Sequence, residues 1–315
     1  MAFLATFNTL KKNGILGMNE RNVNYISKYN DRRLYPLVDD KLQTKLLAQK
    51  MGISTPNLFF TIAHQHDVKE LSKKLEPLDA FVIKPSRGSG GKGILVIKSK
   101  TKEGFVKTND EIITIETIMR HVTNILSGLY SLSSTPDVAI FEDLVIANSV
   151  LKKYSYQGVP DIRIIVFRGY PIMAMLRLST KSSDGKANLH QGAVGVGIDI
   201  KSAKAISAVQ EQTRVYEHPD TKNSLDKIEL ENWIELLELS AKCYDMTKLG
   251  YLGVDIVLDE KRGPMLLELN ARPGLSIQVA NSQGLLPRLQ EIEKIEEIAP
   301  NAKERVSFVL EKNWV

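Results

Sequence analysis

From residue 162 onward the apolar runs of this chain are joined by turns too short for anything but antiparallel pairing. IRIIVF meets PIMAMLRLS across Gly169 and Tyr170, and GVDIVLD meets PMLLELN across Glu260–Gly263. An antiparallel pair closes through a tight turn, whereas parallel neighbours need a crossover of about a dozen residues or more, usually a helix. Hairpins therefore dominate the second half. The fold class is α+β with antiparallel sheets rather than a doubly wound parallel sheet.

The first half mixes helix and strand. Residues 39–51, DDKLQTKLLAQKM, read as a helix capped by Asp39 or Asp40 and stopped by Gly52. Leu58 to Ile62, Ala80 to Lys84, Ile94 to Lys98 and Val138 to Val145 read as strands, and 67–75 and 114–130 as helices. Later helices fall near 229–247 and 285–298, after a polar loop over 180–191 and two more strand-like stretches. Residues 3–12 read as a short amphipathic helix, and the polar segment up to Pro36 has little strand character. The divisions expected are a short segment over 1–38, a subdomain over 39–145 and a second over 146–315.

Composition excludes several classes. With 315 residues, 43% apolar and 25% charged, the chain can bury a sizeable core. The net charge of +5 and 7% aromatic content, without a basic run, argue against nucleic-acid binding. A single cysteine, Cys243, excludes a disulfide framework and reads as a buried structural thiol. No apolar run is long enough for a membrane span, and the N-terminus has its basic residues after its apolar ones, the reverse of a secretory signal; a cytoplasmic protein is expected.

Two segments carry chemistry. In KPSRGSGGKG, Gly88, Gly90, Gly91 and Gly93 leave backbone N–H groups free to turn toward an anion, and Lys84 ends the preceding strand. Strands on both sides make it a hairpin tip, either an anion cradle or a flexible surface loop; it lacks the spacing of a P-loop. In GVDIVLD and LLELNARPG, Glu268 and Asn270 are two apart and share a strand face. If Leu258 pairs with Met265, the same register sets Asp255 opposite Glu268. Two carboxylates and a carboxamide suit Mg²⁺ bound together with phosphates. Without a cation, facing carboxylates repel one another. A polar sheet face meeting solvent is the alternative. The loop KSSDGKANLHQG adds donors in Lys186, Asn188 and His190, placed to close over an anionic substrate. His64 and His66 read as surface.

Taken in order, DKLQTK, VIKPSRGSGGKGI, FEDLV, DIRIIV, NLHQG, GVDIV and LELNARPGL resemble an ATP-grasp enzyme, and among these the RimK-type α-L-glutamate ligases. The resemblance runs from about Asp39 to Leu289 and implies an α+β ATP-grasp fold whose two subdomains hold ATP between them, here with a shortened N-terminal segment. Lys41 and Lys84 match lysines that touch ATP phosphates, and Gly88, Ser89, Gly90, Gly91 and Gly93 match the phosphate lid. Glu142, Asp143, Leu144 and Val145 match the hinge whose backbone meets adenine, and Asp161 matches a nucleotide-contacting aspartate. Lys186 stands where the family motif has an arginine, still cationic but without a bidentate grip. Asp255, Glu268 and Asn270 match the Mg²⁺ ligands, with Mn²⁺ able to substitute. Arg177, Asn188 and Arg272 are candidate catalytic contacts to γ-phosphate or acyl phosphate, and Arg163 and His190 candidate substrate contacts.

The activity implied is ATP-dependent amide formation through an acyl phosphate, joining an acidic amino acid such as glutamate to an amine or peptide acceptor. The alternatives are a phosphotransferase on the same scaffold and a catalytically silent nucleotide-binding regulator. Small-molecule substrates, a homo-oligomer, and neither nucleic acid nor membrane complete the expectations.

Overall fold

The computed structural model describes residues 11–88, 90–131 and 134–314. Most of the expected helix over 3–12 lies outside them, as does Ser89. The chain divides into two compact units. The larger comprises 1–38, 47–54 and 147–315, and the smaller 39–46 and 55–146. Each has its own apolar core and its own sheet. Every strand pair among the described residues is antiparallel.

Helix α1 (Lys41–Lys50) starts in the smaller unit and ends in the larger. Of the two candidate caps, Asp40 is the one used: its Oδ1 accepts from the N–H groups of Leu42 and Gln43, both at 3.1 Å. The six-stranded sheet contains β1 (Leu58–Ile62), β2 (Phe81–Pro85), β3 (Leu95–Lys100), β4 (Phe105–Lys107), β5 (Ile112–Ile113) and β6 (Ala139–Glu142), in the order β1-β6-β2-β3-β4-β5. Its apolar face is covered by α2 (Ile115–Leu126), which buries Ile118, Val122 and Ile125. β2 and β3 pair antiparallel, so the glycine-rich segment is the hairpin tip that the flanking strands predict. Two elements depart from the sequence reading. The strand expected over Val138 to Val145 ends at Glu142, and the pair β4–β5 is too short to show alternation.

The larger unit holds a seven-stranded sheet of order β11-β10-β9-β8-β7-β12-β13. Its strands are β7 (Asp161–Phe167), β8 (Tyr170–Leu178), β9 (Val194–Ile198), β10 (Ala205–Gln210), β11 (Thr213–Arg214), β12 (Tyr251–Asp259) and β13 (Gly263–Asn270). Its longest helices are α3 (Trp233–Thr247), α4 (Ser276–Asn281), α5 (Leu286–Glu293) and α6 (Ala302–Glu311). The β7–β8 turn is Arg168–Gly169, both at positive φ, and Tyr170 already belongs to the strand. That corrects the expected Gly169–Tyr170 turn, and it is the twist-matched kind of two-residue hairpin connection. The segment before Pro36, read only as lacking strand character, is largely helical over Met18–Glu20, Arg21–Ile26 and Ser27–Tyr29. Cys243 is fully buried in α3, and burial pushes its thiol pKa up.

The register of β12 and β13 differs from the expectation at the turn and agrees with it at the far end. Leu258 faces Pro264 and Val257 faces Met265, not Leu258 with Met265. A β-bulge between Asp255 and Ile256 then leaves Leu267 unmatched, and Asp255 comes to face Glu268 after all. Without the bulge, Glu268 and Asn270 would point to the opposite side, because one residue of slip reverses every side chain beyond it. Bulging re-aims both of them onto the face of Asp255.

Candidate functional site

On one face of the larger unit's sheet, four neighbouring strands bring together Asp161 and Arg163 (β7), Arg177 (β8), Asp255 (β12), and Glu268 and Asn270 (β13). Their positions follow from register: Asp161 faces Arg177, Arg163 faces Asp255, and Asp255 faces Glu268. Elsewhere this face is covered by close packing. A side chain at Gly197 would place its Cβ 2.5 Å from the Ala280 carbonyl oxygen of α4, and one at Gly253 would meet Pro273 at 2.6 Å. Glycine at both positions lets the chain after Asn270 lie directly on the strands.

The charges here are paired, which corrects the simple expectation of facing carboxylates that repel. Asp255 is buried and gripped by two guanidiniums. Arg163 donates from Nε to Oδ1 at 2.6 Å and from Nη2 to Oδ2, and Arg177 donates from Nη2 to Oδ2 at 2.8 Å. Asn270 Nδ2 approaches the same oxygen at 3.4 Å. Burial alone would raise the Asp255 pKa, but the two guanidiniums outweigh it and hold the carboxyl at about 2. Asp161 accepts from Arg177 Nε and is fully desolvated beside Asp255; burial pushes its pKa up. Arg177 thus bridges two acids, and burial, which disfavours its charge, is outweighed by both of them.

The donor set is hard oxygen only. Among the described residues no group of three or more His, Cys, Asp or Glu side chains gathers in metal-binding geometry. Two carboxylates and one carboxamide leave a hard cation short of ligands, and phosphate oxygens complete such a shell. This fits a divalent ion shared with a polyphosphate rather than a structural metal.

The smaller unit carries a separate cationic cluster. Lys84 Nζ lies 2.6 Å from Glu142 Oε1, and Lys45 Nζ lies 2.9 Å from Oε2, all three side chains buried. Burial raises the Glu142 pKa, yet the two ammoniums more than offset it and leave the carboxyl below its ordinary value. Burial depresses the Lys45 pKa despite Glu142. Two cations against one anion give the cluster a surplus positive charge. Sequence reasoning did not assign Lys45; its signal was the i, i+4 spacing from Lys41 within DKLQTK, which sets both on one side of α1. It also gave Glu142 to the hinge backbone, whereas the structure gives its side chain this ion-pair role.

The glycine loop is pinned at its shoulders and open at its crest. Arg87 N–H donates to both oxygens of Asp137, at 3.0 and 3.1 Å, and Lys41 Nζ donates to the Gly88 carbonyl at 2.6 Å. At the far end His121 Nε2 donates to the Gly93 carbonyl at 3.0 Å. Gly90 and Gly91 are exposed, with positive φ and open space around them. In the connection after β6, Asp143 accepts from the Asn57 N–H at 2.7 Å and from its Nδ2 at 2.9 Å, and Leu144 and Val145 are half-buried.

Other sequence-predicted residues lie outside the strands. Lys186 is exposed, 3.6 Å from Asp184. The Asn188 side chain accepts from the His190 N–H at 3.0 Å and caps the turn Leu189–Gln191, and His190 is exposed. No hydrogen bond or ion pair among the described residues joins these three to Asp161, Arg163, Arg177 or Asp255. Arg272 is exposed, its guanidinium 5.3 Å from the Tyr35 ring centroid.

Two α+β units of antiparallel sheet, one with a glycine-rich hairpin beside buried lysines and one with a D…ExN strand pair, define an ATP-grasp protein. The chain belongs to the sugar-transfer associated ATP-grasp family, whose pattern it matches over residues 20–294. It is also similar to two proteins called probable alpha-L-glutamate ligase. The one from Xylella fastidiosa (strain M12) is 24% identical over 238 residues, covering 75% of this chain and 56% of that protein. The one from Aeromonas salmonicida (strain A449) is 24% identical over 261 residues, covering 80% and 62%. This chain thus spans less than two thirds of the curated relatives it matches. Among solved structures, D-cycloserine synthetase DcsG superposes with a TM-score of 0.50 at 14% identity, over 84% of this chain and 72% of that one, a likeness of fold. No helix among the described residues is long and apolar enough to cross a membrane.

Proposed function

We propose that this protein is an ATP-dependent carboxylate–amine ligase. The observation that carries the reading is the bulge that turns Glu268 and Asn270 onto the face of Asp255, because an oxygen set completed by phosphates has its use in nucleotide chemistry. Asp255, Glu268 and Asn270 would hold Mg²⁺, which neutralises phosphate charge when bound. In the smaller unit Lys41, Lys45 and Lys84 would meet phosphate oxygens, and the N–H groups of the Gly88–Gly93 loop would cover them.

The reaction is then carboxylate attack on the γ-phosphorus, forming a C–O–P linkage and releasing ADP. The amine attacks the acyl carbon, the C–O bond breaks, and phosphate leaves as the amine loses its proton. Arg163 and Arg177, already held on the site face, would stabilise the charge of the transferring phosphoryl group. No nucleophilic side chain is needed, in keeping with the buried Cys243 thiol. The relatives' names favour an acidic amino acid such as glutamate as the donor. The family's association with sugar transfer favours an acceptor amine carried on a sugar as a second reading.

The test is ADP and phosphate release from MgATP against a panel of amino acids, peptides and amino sugars, with product masses read from the same wells. Release that needs an acid–amine pair, with the mass of one condensed residue, is expected. A phosphorylated product would replace the ligase reading by that of a phosphotransferase. Nucleotide binding without turnover across the panel would leave a regulator.

A further inference from the structure

The N-terminal helical run packs on the same sheet face as the charged site. Tyr25 and Tyr29 set their rings edge-on to Phe167, at 5.6 and 4.8 Å between centroids. Phe167 pairs in register with Tyr251, which lies four residues before Asp255 on β12 and so shares its face. Pro273 lies against the intervening Gly253. Arg21, the first residue of the π-helical stretch Arg21–Ile26 and buried, donates from Nη1 to the Pro273 carbonyl at 2.7 Å. Its Nε and Nη2 both go to Asn22 Oδ1, at 3.1 and 2.8 Å.

Two features of this corner are unusual. Arg21 is 9% exposed, yet no carboxylate pairs with it among the described residues. The Tyr251 hydroxyl is buried with no hydrogen-bond partner among the described residues. Buried polar groups are nearly always satisfied, and a buried charge is nearly always paired. Tyr25, four residues on from Arg21 in the same helical stretch, sets its ring 6.3 Å from that of Tyr251, so a guanidinium without an acid and a hydroxyl without an acceptor share one corner, and an anionic oxygen would serve both.

We propose that Arg21 and Tyr251 form an anion subsite that takes a carboxylate or phosphate oxygen of a substrate, at the end remote from the reacting group. Four residues of extended strand separate Tyr251 from Asp255, about 13 Å between Cα atoms. A bare amino acid is too short to reach both places. The substrate class is therefore an extended acid or acceptor with a second negative charge, such as a peptide carboxylate or a phosphorylated sugar. Naming the ligand a substrate rests on the ligase reading; the existence of the subsite does not.

The experiment follows thermal stabilisation of the ATP-free protein by acetate and by inorganic phosphate, against chloride at equal ionic strength. Wild type, Arg21→Gln, Tyr251→Phe and Lys84→Met are compared. The expected result is saturable stabilisation by at least one anion, weakened about tenfold or more in Arg21→Gln and Tyr251→Phe and retained in Lys84→Met. Preference for acetate assigns a carboxylate, and preference for phosphate a phosphoryl group. A purely structural Tyr251 gives a different signature: Tyr251→Phe removes an unsatisfied hydroxyl, so it melts higher and binds the anion as wild type does. That outcome, or the absence of saturable stabilisation by either anion, overturns the proposal. Should Arg21→Gln fail to fold, Tyr251→Phe decides alone. Because no ATP is present, a negative result here leaves ligase activity standing, and an inactive enzyme that still binds the anion leaves the subsite standing.

Discussion

Replacing Glu142 by glutamine keeps the shape of the buried cluster and removes its only negative charge. The two lysine nitrogens lie 2.6 and 2.9 Å from opposite oxygens of that carboxylate. They are therefore no more than about 8 Å apart, where an effective dielectric of about 20 gives a repulsion of roughly 2 kcal/mol. The lost attraction adds to this, and breaking a buried ion pair by deleting one partner costs about 3–5 kcal/mol. The smaller unit should lose about that much stability at neutral pH. The loss should also shrink as the pH rises. A lysine left without its counter-ion has a folded pKa below its unfolded value of about 10.4, so the unfolded chain binds more protons in between and stability climbs with pH there. Hydrogen exchange of the β2 and β6 amides, measured in urea without nucleotide at pH 7 and pH 9, reads the effect from the right unit. A change below about 0.5 kcal/mol at pH 7, or a loss that does not diminish at pH 9, would refute the reasoning.

Three further expectations concern the sites and one histidine. Glu268→Gln should cut Mg²⁺-dependent ADP release by about a hundredfold or more with little change in melting temperature, whereas Asp255→Asn should lose both activity and stability because it strands two guanidiniums; equal melting temperatures for the two variants would contradict the ion-pair assignment. Lys84→Met should weaken ATP binding about ten- to a hundredfold by calorimetry, and an unchanged affinity would remove that lysine from the phosphate site. His218 is buried and neutral, donating from Nε2 to the Ser179 carbonyl at 3.1 Å and accepting at Nδ1 from the N–H groups of Asp220 and Thr221 at 3.3 and 3.2 Å. Burial holds its pKa below the ordinary value, so its contribution is complete above about pH 6.5 and is lost as the pH falls through the folded pKa. Urea unfolding at about pH 7.5 and 5.5 should show that loss in the wild type and not in His218→Gln.

How much was legible in advance differs from element to element. The hairpins of the second half could be read because apolar alternation and turn chemistry are local, and the Asp40 cap and the glycine hairpin tip for the same reason. The short strands β4 and β5 could not, since two or three residues show no period. Asp255, Glu268 and Asn270 were found by their types and spacing, but through a uniform register that the strands do not have. Arg163 and Arg177 read as ligand contacts; that they already grip Asp255 depends on which strands lie beside β12, and on nothing near them in the chain.

By itself, then, the sequence determined the antiparallel α+β plan, the glycine-rich hairpin and the chemical character of the metal-binding strand pair, because each is written in contiguous residues whose backbone preferences act locally. Only the tertiary structure decided the bulge at Leu267, the sharing of Asp255 between two guanidiniums, the burial of Glu142 between Lys45 and Lys84, and the meeting of Arg21 and Tyr251 in one corner of the sheet face. Those four features join residues up to 230 positions apart. They are settled by packing and, at Asp255 and Glu142, by the pairing of buried charges, neither of which any local pattern records.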